Sequence, residues 1–379
     1  MKIFYVDPNN DTPQINYPFI KSMQDSGKVD IQFFTSFNRF GSRYYHNNYN
    51  INPKYIFFKF ENKVSKRKVR QIFKIIDYPF YHIVLLFKVI RKNPDIIHFN
   101  WLPIPIIEYF FIKIFKLLGK KIILTQHNYS QHNKNKLRLF EVKIFKIVDK
   151  IICLSNYSKT QFTNNFKKKI VEIEHGNCYE TELKLYSHVV NNKKKKKEFN
   201  ILFVGAIKRY KGIELLLKSL NSIVNEKKIT DIHLTIAGFC NKNYAQKIIK
   251  IISDYKLEKY ISFKHEFLSN KEMYNFISHS DCGILPYIEA TQSGIPFMFF
   301  SLYKPIVIND VGGLSEQVTK KIAIITKPNF QDIAISILKM KEAILKRFFL
   351  SENFDNFLNE NSWEKTVKKY LDLYERVIN

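Results

Sequence analysis

Residues 281–316, DCGILPYIEATQSGIPFMFFSLYKPIVINDVGGLSE, decide the fold that we expect for this chain. Apolar runs in it predict a strand at 282–285, a helix at 295–302 and a strand at 305–308. A polar turn follows each strand, one at 291–294 and one at 311–313. Loops at the carboxyl ends of neighbouring parallel strands form the usual ligand crevice of an open α/β sheet. Because free N–H groups at a helix start suit phosphate, the stretch predicts a binder of a phosphorylated small molecule.

The same alternation of strand and helix runs through both halves of the chain. In the first half we predict strands at 2–6, 29–35, 55–60, 95–99, 121–125, 150–154 and 170–173, and helices at 17–25, 67–91, 104–118, 137–148 and 157–166. In the second half we predict further strands at 200–204, 233–237, 260–264 and 323–325, and helices at 211–224, 243–255 and 363–377. Such alternation predicts parallel sheets that are covered on both faces, and hence two Rossmann-like halves.

Length and composition indicate two domains. A chain of 379 residues is long for one core, and its apolar content of 45% is sufficient for globular packing. The five consecutive lysines Lys193–Lys197 predict a solvated linker, because like charges in a run cannot pack. We therefore predict an N-terminal domain at 1–180, a linker at 181–198, a C-terminal domain at 199–355 and a final helical segment at 356–379.

The formal net charge of +27 admits nucleic acid, an anionic membrane surface or an acidic substrate as a partner. It fits an anionic membrane surface, and it equally fits the Lys-, Asn- and Ile-rich composition that an AT-rich genome produces. No nucleic-acid-binding motif accompanies the charge, so we expect no nucleic-acid partner. The basic segment 67–91 fits either a helix lying on a membrane surface or a sheet-packing helix with a solvated basic edge.

Cysteine usage and hydropathy bear on the compartment. The cysteines Cys153, Cys178, Cys240 and Cys282 have no metal-binding or redox spacing, which is typical of a reducing cytoplasm. The chain enters a strand at Lys2, without a signal-peptide pattern. The most apolar segment, 75–90, is short for a membrane span and is interrupted by polar residues. We expect a cytoplasmic protein.

A basic loop follows the first strand of the second half, in the sequence ILFVGAIKRYKGIELL at 201–216. Gly205 ends the strand and Gly212 starts a helix. Between them lie Lys208, Arg209 and Lys211, three cations that could neutralise a diphosphate leaving group. Taken alone, the loop could equally be an exposed basic turn.

Together these motifs resemble the retaining glycosyltransferases of family 4, which have the GT-B fold. Lys211-Gly212 matches the Lys-Gly that follows the first strand of that family's C-terminal domain. Gln292-Ser293-Gly294 and the DVGGLSE motif at 310–316 match a branch found in bacterial surface-polysaccharide assembly. In the first half, the TQHN motif at 125–128 resembles the family's Thr-x-His strand end, and HGN at 175–177 lies where the family has its hinge loop. The resemblance covers most of the chain.

The resemblance implies an architecture and a reaction. The fold would be GT-B, with two Rossmann-like domains whose parallel sheets face a central cleft and a C-terminal helix that crosses back to the first domain. The enzyme would be a hexosyltransferase that moves a sugar, with retention, from a UDP- or GDP-linked donor to a glycan acceptor. The acceptor would be a lipid-linked intermediate of cell-surface polysaccharide, reached from the inner face of the plasma membrane. No cofactor or metal is implied, and the chain has no Asp-x-Asp pair.

The resemblance also implies the residues of the site. The catalytic set would be Lys211, Arg209 and His127. The donor would contact Gly205, Lys208, Gln292, Ser293, Gly294, Ile295, Glu316, Asn177 and Glu289. The acceptor would contact Asp11 and Asn128, although turn chemistry alone explains the acidic loop at 7–13, and a histidine at a strand end is often structural.

Two departures from the family pattern motivate a second hypothesis. Ala206 replaces the usual arginine after the strand glycine, so Lys208 or Arg209 would supply the second cation. The family's paired glutamates fall at Ala290 and Met298. Glu289 is one position early and Glu316 is a candidate substitute. The alternative to an active enzyme is therefore a catalytically silent GT-B partner protein of a polysaccharide assembly complex.

Overall fold

The computed structural model describes residues 1–37, 48–58, 67–127, 138–162, 164–178 and 198–379. The chain divides into two compact units. Unit 1 contains Met1–Cys178 and returns at Asn361–Asn379, and unit 2 contains Tyr179–Glu360. Unit 1 is therefore built from both ends of the chain.

Unit 1 contains a seven-stranded parallel sheet. Its strands are β1 (Lys2–Asp7), β2 (Asp30–Ser36), β3 (Lys54–Phe57), β4 (Ile96–Phe99), β5 (Lys121–Gln126), β6 (Lys150–Cys153) and β7 (Ile170–Glu172). They lie in the order β3-β2-β1-β4-β5-β6-β7. Strand order reverses beside β1, which pairs in register with β2 through Ile3 and Ile31 and with β4 through Ile3 and Ile96. Such a switch point is where open α/β sheets bind ligands.

Two helical layers cover this sheet. The helices of unit 1 are α1 (Pro13–Asp25), α2 (Arg67–Lys92), α3 (Pro105–Leu117), α4 (Arg138–Ile147), α5 (Asn156–Thr160) and, at the end of the chain, α12 (Trp363–Ile378). Buried side chains of α2, α3 and α4 pack together on one sheet face. Those of α1 and α12 pack on the other.

Helix α12 completes the core of unit 1. Ser362 caps it by accepting a hydrogen bond from the Lys365 N–H, and its buried positions recur at helical spacing, as the sequence predicts. The hydroxyl of Tyr374 lies 2.7 Å from Nδ1 of His98, on β4. Gly176 lies against the Trp363 indole so closely that an added Cβ would be 2.5 Å from Cδ2. The last helix is therefore an integral part of unit 1.

Unit 2 contains a six-stranded parallel sheet in the order β10-β9-β8-β11-β12-β13. Its strands are β8 (Phe199–Val204), β9 (Ile232–Ala237), β10 (Ile261–Lys264), β11 (Cys282–Leu285), β12 (Ile306–Asn309) and β13 (Ala323–Thr326). Its helices are α6 (Ile213–Asn221), α7 (Lys242–Asp254), α8 (Asn270–Ser278), α9 (Ile295–Phe300), α10 (Phe330–Leu345) and α11 (Ser351–Glu360). The strand order reverses between β8 and β11, so their following loops are neighbours.

The predicted α/β fold with two parallel, Rossmann-like sheets is confirmed. The helix predicted at 157–166 differs, since α5 ends at Thr160 and a separate 3₁₀ turn covers Asn164–Lys169. Residues 356–360, predicted as part of the last segment, belong to α11 in unit 2. Apart from Glu198, the predicted linker lies outside the described residues. Within the described ranges, no helix combines the length and apolarity needed to cross a bilayer.

Candidate functional site

In unit 2, the loops after β8 and β11 are fixed to each other. Gly212 has φ of +71°, and a Cβ there would lie 1.8 Å from the Pro286 carbonyl oxygen, so only glycine fits. The Ile288 N–H donates to the Tyr210 carbonyl oxygen at 2.8 Å. The predicted basic loop is therefore held against the turn that follows β11.

Lys211 is the distinctive cation of this loop. Its Nζ lies 3.5 Å from the centroid of the Tyr287 ring, and burial together with the Lys208 charge lowers the Lys211 pKa to about 7. Within the part of the chain that the structure describes, no carboxylate lies within ion-pair distance of this ammonium group. Lys208 and Arg209, in contrast, are exposed. A partly dehydrated cation without a counter-ion is suited to bind an anion.

Tyr287 connects Lys211 to the predicted polar turn. The Tyr287 hydroxyl lies 3.4 Å from Oγ of Ser293, and its carbonyl oxygen accepts a hydrogen bond from Nδ2 of Asn309 at 2.9 Å. Asn309 ends β12, so a side chain from the next strand fixes the tyrosine. Neither Tyr287 nor Asn309 was identified from the sequence, because their role depends on strands that only the sheet brings together.

The backbone N–H groups of Ser293 and Ile295, two residues predicted to contact the donor, already donate hydrogen bonds within the protein. The Ser293 N–H donates to Oε1 of Gln317 at 2.7 Å, and the Ile295 N–H donates to Oγ of Ser293 at 3.3 Å. Gln317, which follows Glu316, was missed by sequence reasoning. Beside it, Oε1 of Gln292 is buried without a partner among the described atoms. The contacts of this turn with a donor stay a prediction, and α9 after it has only six residues.

Ala290 and Met298, which stand where the family has its paired glutamates, have different surroundings. Met298 is fully buried in the core, whereas Ala290 lies in the turn and its carbonyl oxygen accepts from the Gly313 N–H at 3.2 Å. That bond joins the turn after β11 to the Gly-Gly turn after β12. Glu289 and Glu316 both lie at the surface of unit 2. Gly205 follows β8 with φ of +118° and lies close to Ile295, since an added Cβ would be 3.5 Å from the Ile295 Cδ1.

In unit 1, a buried polar network lies where β1 and β4 end, at the switch point of that sheet. The Asp7 carboxylate accepts hydrogen bonds from Nδ2 of Asn16 at 2.7 Å, from Nδ2 of Asn100 at 3.0 Å and from the Asn10 N–H at 2.9 Å. Burial nevertheless raises the pKa of Asp7. Sequence reasoning noticed Asp7 but missed Asn16 and Asn100, which are far apart in the chain.

This network determines how His127 is protonated. Because Asn100 donates its Nδ2 to Asp7, its Oδ1 faces Nε2 of His127, 3.0 Å away. Nε2 therefore carries the proton, and Nδ1 keeps a lone pair that can accept a hydrogen bond. The imidazole stacks on Trp101, with ring centroids 4.0 Å apart. Burial, with smaller effects of His175 and His98, lowers the pKa of His127 well below its ordinary value, so the ring is neutral.

The remaining predicted residues of unit 1 are placed differently. Asp11 is exposed, and Asn128 lies outside the described residues. Asn177 is buried, and its N–H donates to the Asn361 carbonyl oxygen at 2.7 Å, next to α12. The proposed ligand contacts of these three residues stay predictions. Over the described ranges there is no cluster of three histidine, cysteine or acidic side chains that could hold a metal.

Two glycosyltransferase family models match the chain, one in each half. Residues 187–351 match the model described as "Glycosyl transferases group 1", and residues 44–176 match "Glycosyltransferase Family 4". A curated relative, an uncharacterised glycosyltransferase of Methanocaldococcus jannaschii, is 26% identical over an alignment 215 residues long that covers 52% of this chain. The match spans 51% of that relative, so it covers about half of the relative's length.

Solved structures share the fold over nearly the whole chain. A glycosyltransferase from Rickettsia africae has a TM-score of 0.73 at 17% identity, covering 100% of this chain and 98% of its own. HepE from Anabaena, solved in complex with UDP, has a TM-score of 0.72 at 14% identity, covering 99% and 100%. Sucrose-phosphate synthase from Thermosynechococcus elongatus has a TM-score of 0.68 at 14% identity, covering 100% and 99%. At these identities the likeness concerns the fold, which is that of GT-B glycosyltransferases.

Proposed function

We propose that this chain, whose two halves match the models for glycosyltransferases of group 1 and family 4, is a glycosyltransferase that transfers a sugar from a nucleoside diphosphate sugar to a glycan acceptor. In such a transfer, the bond between the anomeric carbon and a β-phosphate oxygen breaks. The electron pair stays with the nucleoside diphosphate, and the acceptor hydroxyl forms the new bond and loses its proton. A cation at the phosphate stabilises the leaving group, and this is the function that we assign to Lys211.

The observation that carries this proposal is the environment of Lys211. Its ammonium group is packed on Tyr287, is partly stripped of water and has no carboxylate partner in the described structure. The unfavourable desolvation of such a group is offset when a phosphate binds to it. Lys208 and Arg209 are exposed beside it and can approach the same phosphates. We propose that this cation set serves in place of a metal ion.

We base the choice of nucleotide, the contact with the donor sugar, the stereochemistry and the acceptor on the resemblance and on the residues of unit 1. HepE binds UDP, which favours a uridine nucleotide over the guanosine alternative. Nδ1 of the neutral His127 is an acceptor for a sugar hydroxyl, and we assign it to the donor sugar. We further propose that the transfer retains the anomeric configuration. The acceptor would be a lipid-linked glycan of surface-polysaccharide assembly, used by a peripheral enzyme on the inner face of the plasma membrane.

Nucleotide binding tests the donor assignment. We expect one of UDP, GDP, CDP or ADP to stabilise the purified chain by about 2.7 kcal/mol at a hundredfold its Kd, with or without a chelator. Lys211→Gln should weaken that binding at least tenfold, since it removes the desolvated charge. The matched control is Lys218→Gln, because Nζ of Lys218 also lies over an aromatic ring, 4.2 Å from the Phe330 centroid. Equal losses in both variants, or no binding of any nucleotide, would refute the assignment.

The catalytically silent partner remains the second candidate because of Met298. Its side chain is fully buried, so it cannot replace a glutamate that holds a ribose. Release of nucleoside diphosphate from nucleotide sugar, measured with membrane extract as the acceptor source, separates the two candidates. Turnover that Lys211→Gln abolishes would exclude the silent partner. Binding without turnover would favour it.

A further inference from the structure

Helix α2 exposes an apolar stripe on the side away from its core contacts. The outer stripe consists of Ile76, Phe80, Ile83, Phe87 and Ile90, whose exposed fractions are 65%, 57%, 43%, 67% and 58%. Their spacing of four and three residues places them on one side of the helix, along about 21 Å. Tyr78, Tyr81, Leu85 and Val89 occupy the buried side. Sheet packing thus explains one side of α2 and leaves the outer stripe unexplained.

Helix α3 repeats this arrangement beside it. Ile106, Phe110, Ile114 and Leu117 recur at helical spacing, with exposed fractions of 37%, 57%, 37% and 86%. The buried side chains of α2 and α3 pack in one cluster on the same sheet face, so both helices turn their other sides outward. We call these two sets of exposed side chains the α2–α3 face. An exposed apolar surface of this extent is uncommon on a monomer and is typical of an interaction site.

A cationic cavity lies at the C-terminal end of the outer stripe. It has a volume of about 320 Å³ and is lined by Gln32, Val84, Phe87, Lys88, Arg91 and Lys92. Over the described ranges, Lys88, Arg91 and Lys92 have no carboxylate within ion-pair distance. Phe87 belongs to both the outer stripe and the cavity. An apolar surface is therefore continuous with three uncompensated positive charges.

The exposed apolar side chains and the adjacent positive charges together indicate which kind of partner binds the α2–α3 face. A second copy of the chain would supply the apolar surface but is a poor source of anions, since its 61 lysine and arginine residues outnumber its 34 acidic residues. A bilayer containing anionic lipid supplies both, because acyl chains accept the aromatic and aliphatic side chains and headgroup phosphates accept lysine and arginine. The cavity, at about 320 Å³, is large enough for a phosphate group together with part of its glycerol.

We propose that the α2–α3 face binds an anionic bilayer, with the outer stripe among the acyl chains and a lipid phosphate in the cavity formed by Lys88, Arg91 and Lys92. This inference deepens the proposed function by naming the surface through which a lipid-linked acceptor is reached. It does not depend on the nucleotide, which binds in unit 2. Membrane binding and donor binding can therefore succeed or fail separately.

Vesicle co-sedimentation of the full chain tests the proposal. We expect binding to phosphatidylcholine vesicles that contain phosphatidylglycerol, and at least tenfold weaker binding to phosphatidylcholine alone. Phe87→Ser with Ile90→Ser should weaken binding at least tenfold, and Lys88→Gln with Arg91→Gln should remove the preference for anionic lipid. The matched controls are Ile335→Ser with Leu345→Ser, on the exposed side of α10, and Lys365→Gln with Lys369→Gln, on α12. All changed side chains reach solvent, so the variants should fold.

Three results would overturn the proposal. The first is equal binding by the stripe variant and its control, and the second is equal binding to neutral and anionic vesicles. The third is a chain that forms dimers in solution, becomes monomeric in the stripe variant and does not bind vesicles. Nucleotide-induced stabilisation, measured on every variant, should stay unchanged. A protein that binds vesicles but no nucleotide would leave this inference standing and refute the proposed donor.

Discussion

At the residue scale, Lys211 shows how a short motif acquires its chemistry. The Lys-Gly pair and the neighbouring Gln-Ser-Gly turn were recognisable from the sequence. The Tyr287 ring under the ammonium group and the Gln317 amide on the Ser293 N–H were not, because both contacts join different strand ends. The same holds for Asp7, Asn16 and Asn100, which only the fold brings together. Sequence identifies the residues of a motif, whereas the strands determine which partners reach them.

Lys211 should couple nucleotide binding to proton uptake. Its pKa of about 7 in the unliganded protein should rise when a phosphate binds, so part of the population takes up a proton above pH 7. The affinity of the protein for the nucleotide should therefore fall as the pH increases above about 7, by at most tenfold per pH unit. Calorimetry at pH 8 in two buffers of different ionisation enthalpy measures the protons bound. Lys211→Arg, which stays charged, should bind without proton uptake, and equal uptake in both proteins would contradict the assignment.

At the scale of elements, the apolar periodicity predicted most strands and helices correctly. The strand at 282–285 coincides with β11, Cys282–Leu285. The helix predicted at 157–166 is shorter in the structure, where α5 ends at Thr160. Asn164 and Asn165, which have low helix propensity, lie instead in a 3₁₀ turn. The exposure of the outer stripe on α2 could not be predicted, because periodicity does not show which apolar side a sheet covers. That information belongs to the packing of neighbouring helices.

Between α2 and α3, a buried acid should make folding stability depend on pH. The Tyr78 hydroxyl donates to Oε1 of Glu108 at 2.5 Å, while Oε2 is buried without a partner among the described atoms. Burial raises the pKa of Glu108 to about 7. The folded state therefore binds more protons than the unfolded state between about pH 4.5 and 7, and the free energy of unfolding should fall across that range.

Glu108→Gln should remove this pH dependence. At pH 8 we expect the variant to be more stable by about 1–3 kcal/mol, since the unfavourable buried charge is gone. Urea unfolding at pH 5 and pH 8 measures the difference. The control is Glu375→Gln, an exposed position on α12, which should leave the pH profile unchanged. A loss of stability at pH 8 in the Glu108→Gln variant would show that the carboxylate is favourable where it lies.

At the scale of the whole molecule, unit 1 depends on contact between distant parts of the chain. Two units were predictable from the length, the lysine run and the repeated strand–helix alternation. The close approach of Gly176 to Trp363 was not, because no pattern in the sequence indicates that this loop contacts the last helix. Asn177 next to it bonds through its N–H to Asn361, so the same short segment is held at two points.

Gly176→Ala should destabilise unit 1. The added Cβ would lie 2.5 Å from Cδ2 of the Trp363 indole, so the ring or the loop must shift, with a loss of about 1–3 kcal/mol. Urea unfolding of the single variant, of Trp363→Phe and of the double variant forms a double-mutant cycle. The smaller phenylalanine ring should accommodate the added methyl group. The double variant should therefore lose less free energy of unfolding than the two single variants lose together. Strict additivity would mean that the two positions do not interact.

The discontinuity of unit 1 also has a consequence for biosynthesis. Its first part ends at Cys178 and its second begins at Asn361, so all of unit 2 is translated in between. At about 5–20 residues per second, the ribosome needs roughly 10–40 seconds for that interval. Meanwhile the apolar surface that α12 will cover, including Tyr5 on β1 and Phe19 on α1, is exposed on the nascent chain. Unit 2 can therefore fold before unit 1 is complete, and chaperones have a defined interval in which to bind.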